Sequence, residues 1–365
     1  MISVDQQYAL QAQIQGRDFL NITSLQQLVL VEQAGTDLPT FSLSFTTTDN
    51  SLRTLINERN PLAISLGRDQ NEMVDSEFRM LRTNFAKSGK DSWLITVSGI
   101  KSSLTHWSKP VTSISDKQSG IERLLSLVPN PNSNISSSED SQHWIQTGIP
   151  NKQHVDDIWL HCDLPNSFPL LAATLIDFRV MDASTLISGT PDWVFGTGSG
   201  DIYFDPEYSI QQQSGFLNSV GARGSSRTLY DPDTGDHTTV TSEPLSLMAM
   251  TEQVNASADF APLNLPTATQ SRNVHPRYWE TFAHNHTQIA LYSSTKVTLT
   301  LSGGYIPIHP LDLVMFKEQA IGNLHGESDE VISGLYIVSK VARTLVANRI
   351  ITLVDIVRES TNEVA

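Results

Sequence analysis

The sequence is short of cysteine, of basic residues and of uninterrupted apolar runs, and each shortage removes a class of answer. Cys162 is the single cysteine in 365 residues. That excludes an intrachain disulfide and any multi-cysteine zinc or iron–sulfur centre, and it fits maturation in a reducing cytoplasm. Lys and Arg total 24 against 39 Asp and Glu, a formal charge of -15. A field of that sign repels phosphate at long range unless basic residues cluster, and here the nearest approach to a cluster is Arg223 with Arg227. Tight nucleic-acid binding is therefore disfavoured, whereas a duct through which DNA slides without sticking is compatible with the balance. No uncharged apolar stretch approaches the ~20 residues of a membrane helix. Even Leu345 to Val357 is interrupted by Asn348, Arg349 and Asp355. The start, Met1-Ile2-Ser3-Val4-Asp5-Gln6, has neither the basic opening nor the apolar run of a secretory signal, so a soluble, unsecreted chain is expected.

What is present is a length beyond that at which single cores stop growing, so two or more domains are expected. Phe41, Leu43 and Phe45 alternate with Thr40, Ser42, Ser44 and Thr46, the period of a half-buried strand. Asp49 is placed to cap a short helix carrying Leu52, Leu55 and Ile56, which Asn60-Pro61 stops. Leu62, Ile64 and Leu66 alternate next; residues 69–91 read as polar loop; Trp93, Ile95 and Val97 form the following strand. Lys109-Pro110 marks a connection into a helical region in which Ile121, Leu124, Leu125 and Val128 share one helix face. Asn130 to Ser138 reads as exposed loop, and Val155, Ile158, Trp159 and Cys162 repeat the helical spacing. Phe168 to Val180 fits strand or helix equally. Residues 188–270 read as irregular strands and loops, including a β-like Asp201 to Phe204. Thr295, Val297, Leu299 and Leu301 define a strand, Leu313 to Phe316 a short one, and Leu335 to Ala342 pairs with Ile350 to Val357 through a turn near Ala347-Asn348. Pro61 to Leu66 followed by Trp93 to Val97 echoes Pro310 to Met315 followed by Leu335 to Val338, as if two copies of one small β-barrel bracketed a mixed middle.

Several stretches invite a chemical reading. His275, Glu280, His284 and His286 would share a face for a metal if they lay on a strand, but no metalloenzyme spacing is present, and interface histidines are the commoner explanation. Gly196-Thr197-Gly198-Ser199-Gly200 leads into acidic, β-like sequence rather than a Lys-bearing helix, which makes it a turn and not a phosphate cradle. Asp231-Pro232-Asp233-Thr234-Gly235-Asp236 lacks the closing Glu of a calcium loop and reads as a hairpin turn. Gly221-Ala222-Arg223-Gly224-Ser225 lacks the order of a nucleophile elbow. No catalytic, cofactor-binding or metal residue is nominated, and no cofactor is expected.

Three stretches resemble the hub proteins of contractile phage baseplates, a family related to the N-terminal part of the valine-glycine repeat spike proteins of type VI secretion. His143-Trp144-Ile145-Gln146-Thr147-Gly148 with the helix Asn151 to Cys162, containing Val155-Asp156-Asp157-Ile158-Trp159-Leu160, resembles the central domain. Thr295 to Met315, with Gly303-Gly304 and Ile308-His309-Pro310-Leu311-Asp312-Leu313-Val314, resembles the turn into a second barrel. Ser333-Gly334-Leu335-Tyr336-Ile337-Val338 and Ile350 to Arg358 resemble the closing hairpin. With Leu104 to Val128 as linker, these cover roughly half the chain in family order, and nothing in 188–270 matches.

The resemblance implies a mainly β fold with an α+β middle: two similar antiparallel β-barrel, tail-tube-like domains at 1–105 and 291–365, the latter completed by part of an irregular β-rich region at 191–290, around a linker helix and α+β domain at 106–190. It implies a non-enzymatic homotrimeric hub in the virion, assembled in the host cytoplasm, whose DNA-conducting ring of six quasi-equivalent units adapts a sixfold tail tube to a threefold central spike. The implied partners are itself, a tail tube protein on one face, a spike protein on the other and further baseplate proteins. Because the sequence ends soon after Arg358, a needle or cell-wall hydrolase is expected on a separate polypeptide. Two rival readings are another tail-tip, tube-terminating or receptor-binding virion part, and a metal-dependent hydrolase using the His275 to His286 region.

Overall fold

Alternation at the start of the chain becomes a sheet with one dry face. The computed structural model describes residues 8–57, 60–102, 107–196, 207–212, 224–243, 262–269, 274–318, 332–346 and 348–359. Its first strands are β1 (Ala9–Ile14), β2 (Arg17–Asp18), β3 (Ser24–Ala34) and β4 (Thr40–Thr47); after helix α1 (Ser51–Leu55) come β5 (Leu62–Gly67), β6 (Met73–Lys87) and β7 (Trp93–Lys101). Phe41, Leu43 and Phe45 point into a core shared with Leu28, Leu30, Ile64, Phe78, Ile95 and Val97. Asp49, expected to cap α1, lies one residue before its N-cap, Asn50, and accepts from the Ser51 backbone N–H at 2.8 Å. The polar loop expected at 69–91 is instead largely the long strand β6. Ser76, Phe78 and Met80 face inward between exposed Asp75, Glu77, Arg79 and Leu81, so the strand period is present, but its outer face is charged enough to mask it.

The middle opens with a strand, β8 (Pro110–Gln118), where a direct run into helix was expected; it pairs antiparallel with β10 (Gln142–Pro150) across α2 (Gly120–Leu127) and β9 (Pro131–Ser133). Ser119 and Glu122 form a reciprocal capping box at the start of α2. Part of the loop expected at 130–138 is β9, paired parallel to a later strand. Helix α3 (Asn151–His161) follows as the spacing predicts. Phe168 to Val180 resolves as a hairpin of β11 (Pro169–Ala173) and β12 (Phe178–Asp182), and α4 (Ala183–Ile187) closes the region. Ile121, Leu124, Trp144, Val155, Ile158 and Cys162 form its core.

The last part comprises β13 (Trp193–Gly196), β14 (Glu207–Gln212), β15 (Ser225–Tyr230), β16 (His237–Ser242), β17 (Leu263–Thr269), α5 (Tyr278–Tyr292), β18 (Thr295–Ser302), β19 (Leu313–Lys317), β20 (Gly334–Val346) and β21 (Arg349–Arg358). The expected hairpin of 335–342 with 350–357 is β20–β21, closed at Val346 and Arg349. Strands β15, β16 and β17 form a small separate sheet packed against α5.

The main sheet runs β14-β18-β21-β20-β3-β4-β7-β6-β5-β1-β2. It contains one arrangement twice. The order β3-β4-β7-β6-β5 recurs as β14-β18-β21-β20-β19; the flanking strands differ, β1 running antiparallel to β5 and β13 parallel to β19. Even the bulges correspond: one falls between Met80 and Arg82 where β6 pairs with β7, the other between Val338 and Lys340 where β20 pairs with β21. The sequence echo had matched β7 to β20; by topology β7 matches β21, and β20 matches β6, the strand the sequence concealed. The fold is thus mainly β and antiparallel, and among the described residues the sheet stays open, with no closed barrel.

Candidate assembly surface

The two ends of the chain meet in a hydrogen-bonded ladder. Strand β20 pairs antiparallel with β3 from Lys340 opposite Gln33 to Val346 opposite Gln27. Alternation turns Glu32 and Arg343 to the dry side of this junction, where their side chains are 0 % exposed and the Arg343 guanidinium donates to the Glu32 carboxylate. The carboxylate also accepts from His309 Nδ1 at 2.8 Å and from the Leu175 backbone N–H at 2.7 Å. Arg343 donates further to the Ile306 carbonyl, at 3.2 Å, and to that of Ile308, and it lies over the Tyr305 ring. Burial alone pushes the Glu32 carboxyl upward, but Arg343 and His309 together outweigh it and hold it down at about 2. A pair this dry adds little stability over an apolar pair, yet a one-residue slip would leave both charges unpartnered, so it locks the register of β3 against β20.

Among the described residues, the other side of the sheet is half-buried to exposed and rich in hydroxyls. Thr40, Ser42, Ser44 and Thr46 of β4 lie beside Thr96 and Ser98 of β7, with Ser42 opposite Ser98 and Ser44 Oγ 3.0 Å from Thr96 Oγ1. In the second copy of the arrangement, Thr298, Thr300 and Ser302 of β18 and Thr344 of β20 occupy the same side. Charges on this side gather on β6, as exposed Asp75, Glu77, Arg79 and Arg82, and on β18 and β21, where Lys296 and Thr298 both reach Asp355, at 3.3 and 2.7 Å. Short neutral hydroxyls bind water but give phosphates no fixed counter-charge. Val346, Ile351 and Leu353 form an apolar strip there, 40, 37 and 40 % exposed.

The residues singled out by chemistry lie elsewhere and do not converge. Glu280, His284 and His286 sit on helix α5, not a strand, so His284 and His286 are about 200° apart around the axis instead of sharing a face. His284 Nε2 pairs with the Ser167 carbonyl at 3.0 Å, His286 stacks on Phe282, and His275 precedes the helix, its backbone N–H donating to Gln142 Oε1 at 2.9 Å. Among the described residues, no group of three His, Cys, Asp or Glu side chains is placed to hold a metal. Asp231 to Asp236 is the hairpin turn its composition predicts, joining β15 to β16 with Gly235 at φ 77°. Of Gly196 to Gly200 only Gly196 is described; Asp201 to Phe204, Gly221, Ala222 and Arg223 lie outside the described residues. Arg227 stacks on Trp279 and Phe282, 4.8 and 4.2 Å from the ring centroids. Cys162 is buried, which pushes its thiol well above the ordinary range. Sequence reasoning missed Glu32 and Arg343; the one signal was a charged residue on the apolar phase of each strand.

Comparison with solved structures shows which fold this is. A tail protein from Neisseria meningitidis MC58 superposes with a TM-score of 0.58 at 10% identity, over 97% of this chain and 97% of that chain. The 43 kDa tail protein of prophage MuSo2 from Shewanella oneidensis gives 0.61 at 11% identity, over 96% of this chain and 98% of that one. The chain has the phage tail-protein fold. The same fold extends to a chain of the half-lidded Francisella PdpA–VgrG complex, with a TM-score of 0.50 at 10% identity, where 99% of this chain spans 59% of that one. No family model and no curated protein matches the sequence.

Proposed function

We propose that the protein is a structural baseplate hub of a contractile phage tail: a homotrimer whose two strand repeats, one per chain end, make a ring of six quasi-equivalent units around a DNA channel. The carrying observation is the β3–β20 ladder, which joins the end of one repeat to the beginning of the other inside a single chain. Repeating that join between chains generates a ring when the rotation closes, and three chains of two repeats match a sixfold tube on one face and a threefold spike on the other. In this reading residues 1–105 form the first tube-like unit, and 291–365 with strands β13 and β14 form the second. The region 106–190 braces them. The hydroxyl-rich side of the sheet lines the channel, and the charge of -15 keeps passing DNA from adhering. The role is mechanical, without catalysis, and places the protein in the virion with a tail tube protein, a spike protein and other baseplate proteins as neighbours. Mass photometry of the purified protein tests this. A particle three times the 40.3 kDa chain, with an axial hole in electron micrographs, is expected; a stable monomer or a hexamer of chains overturns it.

A further inference from the structure

The two repeats leave two unmatched edges. In the second repeat, β20 pairs with β19 along Gly334 to Ile337 and, beyond its bulge, offers the same edge to β3. In the first, β6 pairs with β5 along Met73 to Phe78 and, beyond its bulge, carries no strand on that edge among the described residues. At the far end of the sheet, β14 pairs with β18 alone among the described strands. The ladders fix which residues correspond. Leu30 stands opposite Phe41, which stands opposite Gly99; Ile210 stands opposite Val297, which stands opposite Ile356. Gly99 pairs with Met80 and Ile356 with Val338, each immediately before a bulge. Ile210 is therefore the counterpart of Leu30. Counted from the bulges, Phe85 is the counterpart of Arg343.

Within the chain, Arg343 lies opposite Leu30 and both are covered, at 1 and 2 % exposure. Their counterparts are more open: Ile210 is 37 % exposed and Phe85 is only partly buried against the first core, while Leu81, at the bulge of the same strand, is 50 % exposed. A long, open strand edge with apolar side chains along it is a template for another strand. We infer that the outer half of β6 receives β14 of a second copy of this chain as its antiparallel neighbour, with Phe85 opposite Ile210, Ala86 opposite Ser209 and Asn84 opposite Gln211. This rests on the ring reading and specifies the contact that closes it. The contact is heterologous, a β6 edge on one protomer and a β14 edge on the next, so it propagates in one sense around an axis. The occupant is a second copy because the chain already contains the same ladder, in the same register, between its own repeats.

Cysteine pairing tests the register. Cα separations across either kind of antiparallel pair, ~4.5 or ~5.5 Å, fall within the disulfide range. The native Cys162 is buried and contributes no background. A chain carrying Ala86→Cys with Ser209→Cys, both exposed positions, is oxidised and run without reductant. Covalent dimers and trimers are expected, in roughly tenfold excess over a Phe85→Cys with Ser209→Cys control, whose side chains point to opposite faces. Mass photometry of the same reduced samples separates the failures. A trimer that yields no Ala86–Ser209 disulfide, or that yields the control disulfide equally, overturns this register and leaves the ring reading standing; a monomer overturns both.

Discussion

Glu32 and Arg343 are 311 positions apart in the chain and form a fully buried ion pair where β3 and β20 join. Removing one partner strands the other charge in the core. Glu32→Gln or Arg343→Met is expected to cost about 3–5 kcal/mol in denaturant unfolding, whereas Glu32→Leu with Arg343→Met should recover much of that loss. If either single variant unfolds at the wild-type midpoint, the pair does not lock the junction.

Two buried imidazoles predict weakening in mild acid. Burial holds His161 down at about 3; burial, with Arg123 nearby, holds His154 at about 4. An unfolded chain takes up both protons near 6.5, so as pH falls below 6.5 the unfolded state binds more protons and stability declines until the folded pKa values are reached. Each contributes a slope of up to about 1.4 kcal/mol per pH unit. Urea midpoints of His161→Phe between pH 7 and about 4 should fall less steeply than those of wild type.

Glu32 works in the opposite sense to a buried neutral acid. With its folded pKa near 2 against 4.5, its ionised form stabilises the protein fully above 4.5, and that contribution is lost as pH falls through about 2. In the Glu32→Gln variant the acid transition monitored by circular dichroism should lose this limb.

Gly99 faces the bulge of β6, and a Cβ there would run into the Arg79 carbonyl oxygen and come within 2.8 Å of the Phe41 ring. Neither neighbour can withdraw, one being backbone and the other core. Gly99→Ala is expected to lower stability by roughly 1–3 kcal/mol, read as a drop in Tm.

The hydroxyl side of the sheet should not retain DNA. In gel-shift assays at physiological salt the wild-type protein should leave duplex DNA unshifted, while Ser44→Arg with Thr298→Arg should produce a shift that strengthens with falling salt, by about 0.9 in log–log slope for each phosphate the new arginines neutralise. A shift by the wild-type protein at that salt would contradict a non-adhesive channel.

Strands with clean alternation were legible from residues alone. Thr40 to Thr47 and Thr295 to Ser302 carry apolar residues on one phase and hydroxyls on the other, a signal set locally by the pleat. Helices α2 and α3 were legible from their apolar faces. Strand β6 was not, because Asp75, Glu77, Arg79 and Arg82 on its wet side outweigh Phe78 and Met80 in any composition count. The histidines of α5 were misplaced because spacing by two suggests a shared face only if the backbone is extended, and residues 278–292 are helical. The repeat was glimpsed as an echo but set in the wrong strands, since matching residues drift while strand order does not.

A mainly β, acidic, single-cysteine chain with a mixed middle and apolar strands at both ends could be read straight from the residues, because alternation, charge and cysteine count need no knowledge of distant partners. That the ends join through β3 and β20, that Glu32 and Arg343 meet there, and which two edges stay open emerged only once the chain was folded. Strand partners are chosen by the match of whole faces across hundreds of residues, and a buried charge is tolerated only where its distant counterpart arrives, so neither could be read from one strand at a time.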